Sequence, residues 1–278
     1  VGPVDLTRLI HYTIVTEKHT FTAPFVNAEE TQYLCIEDHY TNGRPPLELG
    51  GVLYCDRETV DKIEKMKVCT CLNPLHTAMS IYGCMLGYDL ICSEIKDEDI
   101  VALIKRLGYV EGLPVVVDPK ILDPKAFIDE VIEQRLPNPF MPDMPQRIAT
   151  DTSQKVGIRF GETIKSYVAE GRDLNSLVSI PLAIAGWLRY LLAIDDNGNA
   201  FEVSADPLKD ELQAKLSGIE FGKPETVTDQ LDGILSNASI FGSDLTKTVL
   251  ADKIKAYFKA EIAGAGAVRK TLHEAVNG

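Results

Sequence analysis

No run of apolar residues in the 278-residue sequence approaches the roughly 18–20 needed for a helix to span a bilayer. The first residues show no basic start followed by an apolar stretch. Internal repeats and low-complexity tracts are absent, as are a GxSxG elbow, an HExxH pair and a P-loop. These gaps set aside helical membrane proteins, solenoids, elbow-type hydrolases, zinc peptidases and P-loop nucleotide chemistry. Positive charge is also scarce: 28 Lys and Arg against 41 Asp and Glu leave a net charge of −13. Nucleic acid and anionic membranes are poor partners for such a surface, and an anionic small substrate would need a locally basic pocket. The six cysteines, Cys35, Cys55, Cys69, Cys71, Cys84 and Cys92, show no repeated pair spacing and have no companion histidines at zinc-finger distances. Cys69 and Cys71 lie too close together for a two-residue metal or redox spacer, so no metal is expected. Buried reduced thiols and a cytoplasmic location are expected instead.

What is present is the makings of a core. With 45% hydrophobic residues, the chain is long enough for one large or two ordinary domains. It starts with Val1 and not Met, which reads as a piece of a longer protein. Two β-rich runs, HYTIVTEKHTFT (11–22) and TQYLCIED (31–38), precede turn chemistry in NGRPPLELGG (42–51). From Glu58 the spacing becomes helical. Helices are expected from Asp97 to Leu107, closing on Gly108; from Asp123-Pro124 to about Arg135; from Asn175 to about Leu192; and over 206–217, 224–236, 243–262 and 266–275. The segments 135–146, with four prolines, and 195–199 read as loops. The fold class is therefore mainly α with a small β element: residues 1–56 contain the β segment and residues 57–278 form the helical domain.

Three stretches could carry chemistry. In EKMKVCTCLNPLH (64–76), Asn73-Pro74 signals a helix start, and Asn73 either caps it or offers its amide to a ligand. His76 shares the face of Asn73 and reads equally as a satisfied core histidine. Lys67, set among Met66, Val68 and Cys69, is either a desolvated general base or half of an exposed pair with Glu64. In RIATDTSQKVGIRF (147–160), Arg147, Lys155 and Arg159 concentrate cations in an acidic protein, as a surface helix face or as an anchor for substrate oxygens. GAGAVR (264–269) has a glycine pair but follows a helical pattern and not a strand, so it reads as a helix cap and turn and not as a dinucleotide site.

Taken in order, EDHYTNGRPPLELGGV, EKMKVCTCLNPLHTAMSIYGCMLGY, LPNPFMPDMPQRIATDTSQK and IAGAGAVRKTL resemble the C-terminal domain of the polyol-specific long-chain dehydrogenases, the family of mannitol 2-dehydrogenase, fructuronate reductase and tagaturonate reductase. The resemblance covers essentially the whole chain. It implies a multi-helical C-terminal dehydrogenase domain that meets a nucleotide-binding domain at a cleft, and metal-independent hydride transfer between NAD or NADP and a ketose or ketoacid sugar. Carried over residue by residue, it makes Lys67 the general acid/base, Asn73 the donor that polarises the reacting oxygen and Glu64 the gate for proton exchange. It makes His76, Arg147 and Lys155 the substrate contacts.

The sequence departs from the family pattern in two respects. Five residues separate Lys67 from Asn73, where the family has four. On an ideal helix at about 100° per residue, this turns Lys67 from about 80° to about 180° away from His76. A π-bulge, or a helix break before Asn73, has to absorb the extra residue. The Rossmann domain, with the cofactor-binding residues, is absent from these residues, so its partner is expected to be a nucleotide-binding domain of the same protein. The cations tilt the expected substrate towards fructuronate and mannonate over mannitol and fructose. The alternative is a non-catalytic helical binding or assembly module, favoured by the inserted residue.

Overall fold

A computed structural model describes residues 34–278 apart from Pro142, together with the backbone of two short strands before them. These strands, β1 (Ile14–Val15) and β2 (Phe21–Thr22), pair antiparallel within the first β-rich run. The rest of that run, and Thr31–Tyr33 of the second, lie outside the described residues. β3 (Cys35–Glu37) pairs in parallel with β4 (Leu53–Cys55), a strand the sequence reading had missed. All six cysteines are free: Cys69, Cys71, Cys84 and Cys92 are buried, whereas Cys35 and Cys55 are half-buried, with their Sγ atoms 3.0 Å apart.

The named elements after β4 are all helical. Asp56 caps α1 (Arg57–Met66) by accepting from the Thr59 amide at 2.7 Å. A π-helical turn over Lys67–Cys71 leads into α2 (Asn73–Leu86). The short α3 (Ile91–Glu94) precedes α4 (Glu98–Lys105), capped by Asp97. The expected stop at Gly108 does not occur. The chain continues through a π-helical turn over Arg106–Gly112 and a tight turn to Val115, because Leu107, Gly108, Glu111 and Gly112 are all buried against neighbours that hold the helix together. α5 (Pro124–Glu130), capped by Asp123, extends to Arg135 through a third π-turn, as its sequence signals indicate. α6 (Pro145–Ile148) ends the proline-rich loop, and a fourth π-turn, Gly157–Gly161, enters α7 (Glu162–Ala169).

α8 (Ser179–Tyr190) is buried along its whole length around Trp187, as is α2 from Pro74 to Met85. A helix that is apolar on every face belongs at the centre of a large core. The two pack against each other and α8 packs on α12 (Leu250–Glu261), with α9 (Lys209–Lys215), α10 (Asp232–Leu235) and α11 (Ala238–Phe241) before it in sequence and α13 (Ala267–Asn277) after. The helix expected at 224–236 is broken into a 3₁₀ turn at Pro224–Thr226 and the single turn α10, because Thr228 Oγ1 and the Gln230 side chain bond local backbone and side-chain groups in between. α8 begins at Ser179 and not near Asn175, and α12 at Leu250 and not at 243, each after a separate 3₁₀ turn.

Buried carboxylates fix this arrangement. Glu111 accepts from the amides of Val178, Ser179 and Ile180 at 2.7–2.9 Å, satisfying the N-terminus of α8. Asp196 likewise accepts from Val268 and Arg269 at the start of α13. Glu111→Ala should lower the stability of the fold by about 3 kcal/mol, seen as a lower denaturant midpoint, because three amides lose a charged acceptor in the core. Burial raises Glu94 to about 9 and Glu261 to about 8, so between pH 5 and 9 the folded chain binds more protons than the unfolded one and loses stability as pH rises. Glu94→Gln should flatten that decline in a series of thermal melts between about pH 6 and 9.

Candidate active site

The π-turn decides where Lys67 points. The Leu72 amide donates to the Lys67 carbonyl at 3.1 Å, a span of five residues where an α-helix would use four. Leu72 then leaves helical geometry at φ −128°, and α2 restarts, with the His76 amide donating to Leu72 at 3.0 Å. Both devices foreseen from the inserted residue are therefore present. Asn73 is the first residue of α2 and not its cap: the cap position is Leu72. Among the described residues the Asn73 amide group has no hydrogen-bond partner, while its backbone carbonyl accepts from Thr77 Oγ1 at 2.8 Å.

Neighbouring helices hold the turn in place. Cys69, Thr70 and Cys71 are buried, Thr163 donates to the Cys69 carbonyl, and Cys71 Sγ donates to the Pro124 carbonyl. Gly112 presses on it so closely that a Cβ would lie 2.7 Å from Thr70 Cγ2, which is why that position carries no side chain. Burial pushes the thiols of Cys69 and Cys71 up to about 11 and about 12, so they pack as neutral groups.

Lys67 emerges into a cleft of about 540 Å³ lined by Glu64, Leu72, Val131 and Arg135, with Leu34, Cys35, Arg57 and Phe127 on its outer wall. The side chain keeps 35% of its exposure, with its Nζ 3.7 Å from Glu64 Oε2, so it stands half-buried at the cleft wall and is not enclosed by Met66, Val68 and Cys69. Glu64 is 63% exposed, placing a carboxylate between Lys67 and solvent.

Arg135 also lines a second, much smaller cavity of about 10 Å³ with His76, Ile91, Leu136, Met141 and Asp143. Buried His76 presents Nε2 to Asp143 Oδ2 at 3.8 Å, too long for a hydrogen bond, and among the described residues that nitrogen has no partner. Burial is the main cause that takes His76 down to about 4; Asp143 opposes the shift, and Arg135, Arg159 and Arg147 reinforce it. The imidazole is therefore neutral at ordinary pH. The other oxygen of Asp143 takes the guanidinium of Arg147, which is otherwise exposed. Arg159 donates to Thr77, one residue past His76, and burial pushes it down to about 10. Lys155 donates to the carbonyls of Thr150 and Ile148, leaving one N–H free, and burial followed by Arg159 lowers its proton affinity.

The structure thus pairs Lys67 with Glu64 and gathers His76, Arg147 and Lys155 with Arg159. Arg135 is the wall common to the two cavities. Arg135, at the end of the π-turn after α5, and Asp143, in the proline-rich loop, were not singled out from the sequence, because periodicity does not encode the neighbours that a turn end or a loop meets. The glycine turn at 264–266 is closed to a phosphate: the amides of α13 that would bind one are already taken by Asp196. Among the described residues no helix is long and apolar enough to cross a membrane.

Fold and site together define a mainly helical domain with a mixed-charge cleft into which a lysine emerges. The chain belongs to the mannitol dehydrogenase C-terminal domain family, whose model matches residues 59–261. It is 54% identical over 266 residues to the D-mannonate oxidoreductase of Thermotoga maritima, covering 94% of this chain and 49% of that protein. It is 29% identical over 246 residues to the mannitol 2-dehydrogenase of Emericella nidulans, covering 88% and 45%. In fold it resembles the Pseudomonas fluorescens mannitol 2-dehydrogenase solved with NAD and D-mannitol, at TM-score 0.69 and 24% identity over 87% of this chain and 46% of that one. The chain spans about half the length of the curated relatives it matches.

Because His76 is neutral in the fold but titrates near 6.5 when unfolded, it costs stability progressively as pH falls from about 6.5 towards 4. An NMR titration should find its ring uncharged down to about pH 5, and His76→Gln should remove that part of the acid destabilisation.

Proposed function

We propose that the chain is the substrate and catalytic domain of an NAD(P)-dependent oxidoreductase that interconverts an aldonate and its ketouronate, of the mannonate and fructuronate type. The observation that carries this reading is the cationic group Arg135, Arg147, Lys155 and Arg159 around a neutral His76, assembled in a chain of net charge −13. Gathering cations costs energy from mutual repulsion, and a carboxylate bound among them offsets it. The 54% identical relative is itself named a D-mannonate oxidoreductase, which supports the same choice. The π-turn supports a catalytic over a purely structural domain, because it absorbs the inserted residue that favoured the latter.

In the oxidative direction, unprotonated Lys67 takes the proton from the substrate hydroxyl and Glu64 relays it to solvent. The free amide of Asn73 donates to the oxygen as it gains charge. Arg147 and the remaining N–H of Lys155 hold substrate oxygens away from the reacting carbon, and His76 takes a hydroxyl. In the reductive direction, protonated Lys67 donates. The nicotinamide supplies hydride chemistry when bound, and the described residues offer it no cradle, so its binding is assigned to a nucleotide-binding domain of the same protein.

With that domain present, fructuronate should be reduced with a kcat/KM at least about tenfold above that for fructose, with tagaturonate between them, in assays using NADH and NADPH. A preference for fructose would replace the acid reading with a polyol one. Lys67→Ala should lower kcat by about 10²–10⁴ with an unchanged circular dichroism spectrum, and near-normal turnover in that variant would remove Lys67 from the mechanism.

A further inference from the structure

Asp143 is a carboxylate in contact with the cationic group, and its placement is unusual. Its own backbone is tied on both sides: the amide donates to the Met141 carbonyl at 2.8 Å, and the carbonyl accepts from Ile91 at the start of α3 at 2.9 Å. The side chain is therefore launched from a fixed base, although it belongs to a proline-rich loop. It is only 17% exposed, and its two oxygens face different partners: Oδ1 the guanidinium of Arg147, Oδ2 the Nε2 of His76 at 3.8 Å. Arg147 itself is 63% exposed, and among the described residues Asp143 is the group that holds its head group by a hydrogen bond or ion pair. His76 Nε2 is buried and lacks a hydrogen-bond partner among the described residues, and Asp143 Oδ2 stands 3.8 Å from it.

We propose that Asp143 is a positioning residue for sugar binding, holding Arg147 with one oxygen and setting the orientation and tautomer of His76 with the other. This rests on the reading of Arg147 and His76 as substrate contacts. The gap of 3.8 Å exceeds a hydrogen bond by somewhat less than 1 Å, and a small turn of the ring or the carboxylate closes it. A carboxylate accepts only, so closing the gap fixes the proton on Nε2 and leaves Nδ1 as an acceptor for a substrate hydroxyl. Arg147, already held in place, loses less rotational freedom when the substrate arrives. Asp143 touches neither the reacting carbon nor Lys67, so its contribution belongs to binding and not to the chemical step.

Two variants and two readouts in the full-length protein test this. Asp143→Ala should raise KM for the sugar acid about tenfold while kcat changes by less than about threefold and KM for the nicotinamide cofactor stays constant. Asp143→Asn, which keeps the size and one oxygen acceptor, should fall between it and the parent. Independently of turnover, nitrogen NMR of labelled histidine, with the His76 signals assigned by their loss in His76→Gln, should show the proton on Nε2 in the parent and a mixture of tautomers in Asp143→Ala. An unchanged sugar KM in both folded variants, a loss confined to kcat, or an identical His76 tautomer in the parent and Asp143→Ala would overturn the assignment. If the parent turns over no sugar acid, the substrate reading fails, while the tautomer comparison still decides the role of Asp143 towards His76.

Discussion

A single five-residue backbone hydrogen bond, from the Leu72 amide to the Lys67 carbonyl, governs the geometry of the candidate site. Hydrogen-bonded α-helix running straight from Arg57 to Leu86 would turn Lys67 and His76 to opposite faces. The wider turn takes up the inserted residue where the backbone can best tolerate it, between two helices whose registers are each fixed by burial. α1 is held by Ile63 and Met66, and α2 by burial on every face. Four neighbouring segments then clamp the turn itself, through Gly112, Pro124, Thr163 and the packing of the Gly157–Gly161 turn. A π-turn has poorer hydrogen-bond geometry than the helix it interrupts, and it persists here because its surroundings leave no room for the alternative.

The second organising feature is the handling of charge. The chain is strongly acidic, yet its core uses carboxylates as internal caps, Glu111 for α8 and Asp196 for α13, and reserves a cationic patch for the region around His76. Where the cations gather, the carboxylate of Asp143 sits among them. Burial keeps the histidine neutral, so the group can offer a polar contact to a hydroxyl without adding a further positive charge to a region that already has an excess.

Much of this was legible in the sequence because it depends on short-range chemistry. Asp97 and Asp123 announce the helices they cap. The inserted residue before Asn73 gave notice of a bulge or a break, and both occur. The β3–β4 pairing was hidden because a three-residue strand has too short a pattern to show a period of two. Helix continuation past Gly108 was hidden because packing overrode the local signal of a glycine. For Lys67 the sequence left open a desolvated base or half of an exposed pair with Glu64; the structure makes the pair, and what the sequence could not show is the cleft in front of it. Arg135 and Asp143 were not singled out because the His76 they neighbour comes from α2, far away in sequence.

The central claim is that the widened turn delivers Lys67 to the same bound sugar that the cations around His76 hold. A crystal structure of the full-length protein with NADH and an unreactive sugar-acid analogue tests it most directly. The account predicts the carboxylate against Arg147 and Lys155, and the oxygen on the reacting carbon about 3 Å from both Lys67 Nζ and the Asn73 amide. A sugar acid bound with that oxygen more than about 8 Å from Lys67, or seated away from Arg147 altogether, would contradict it.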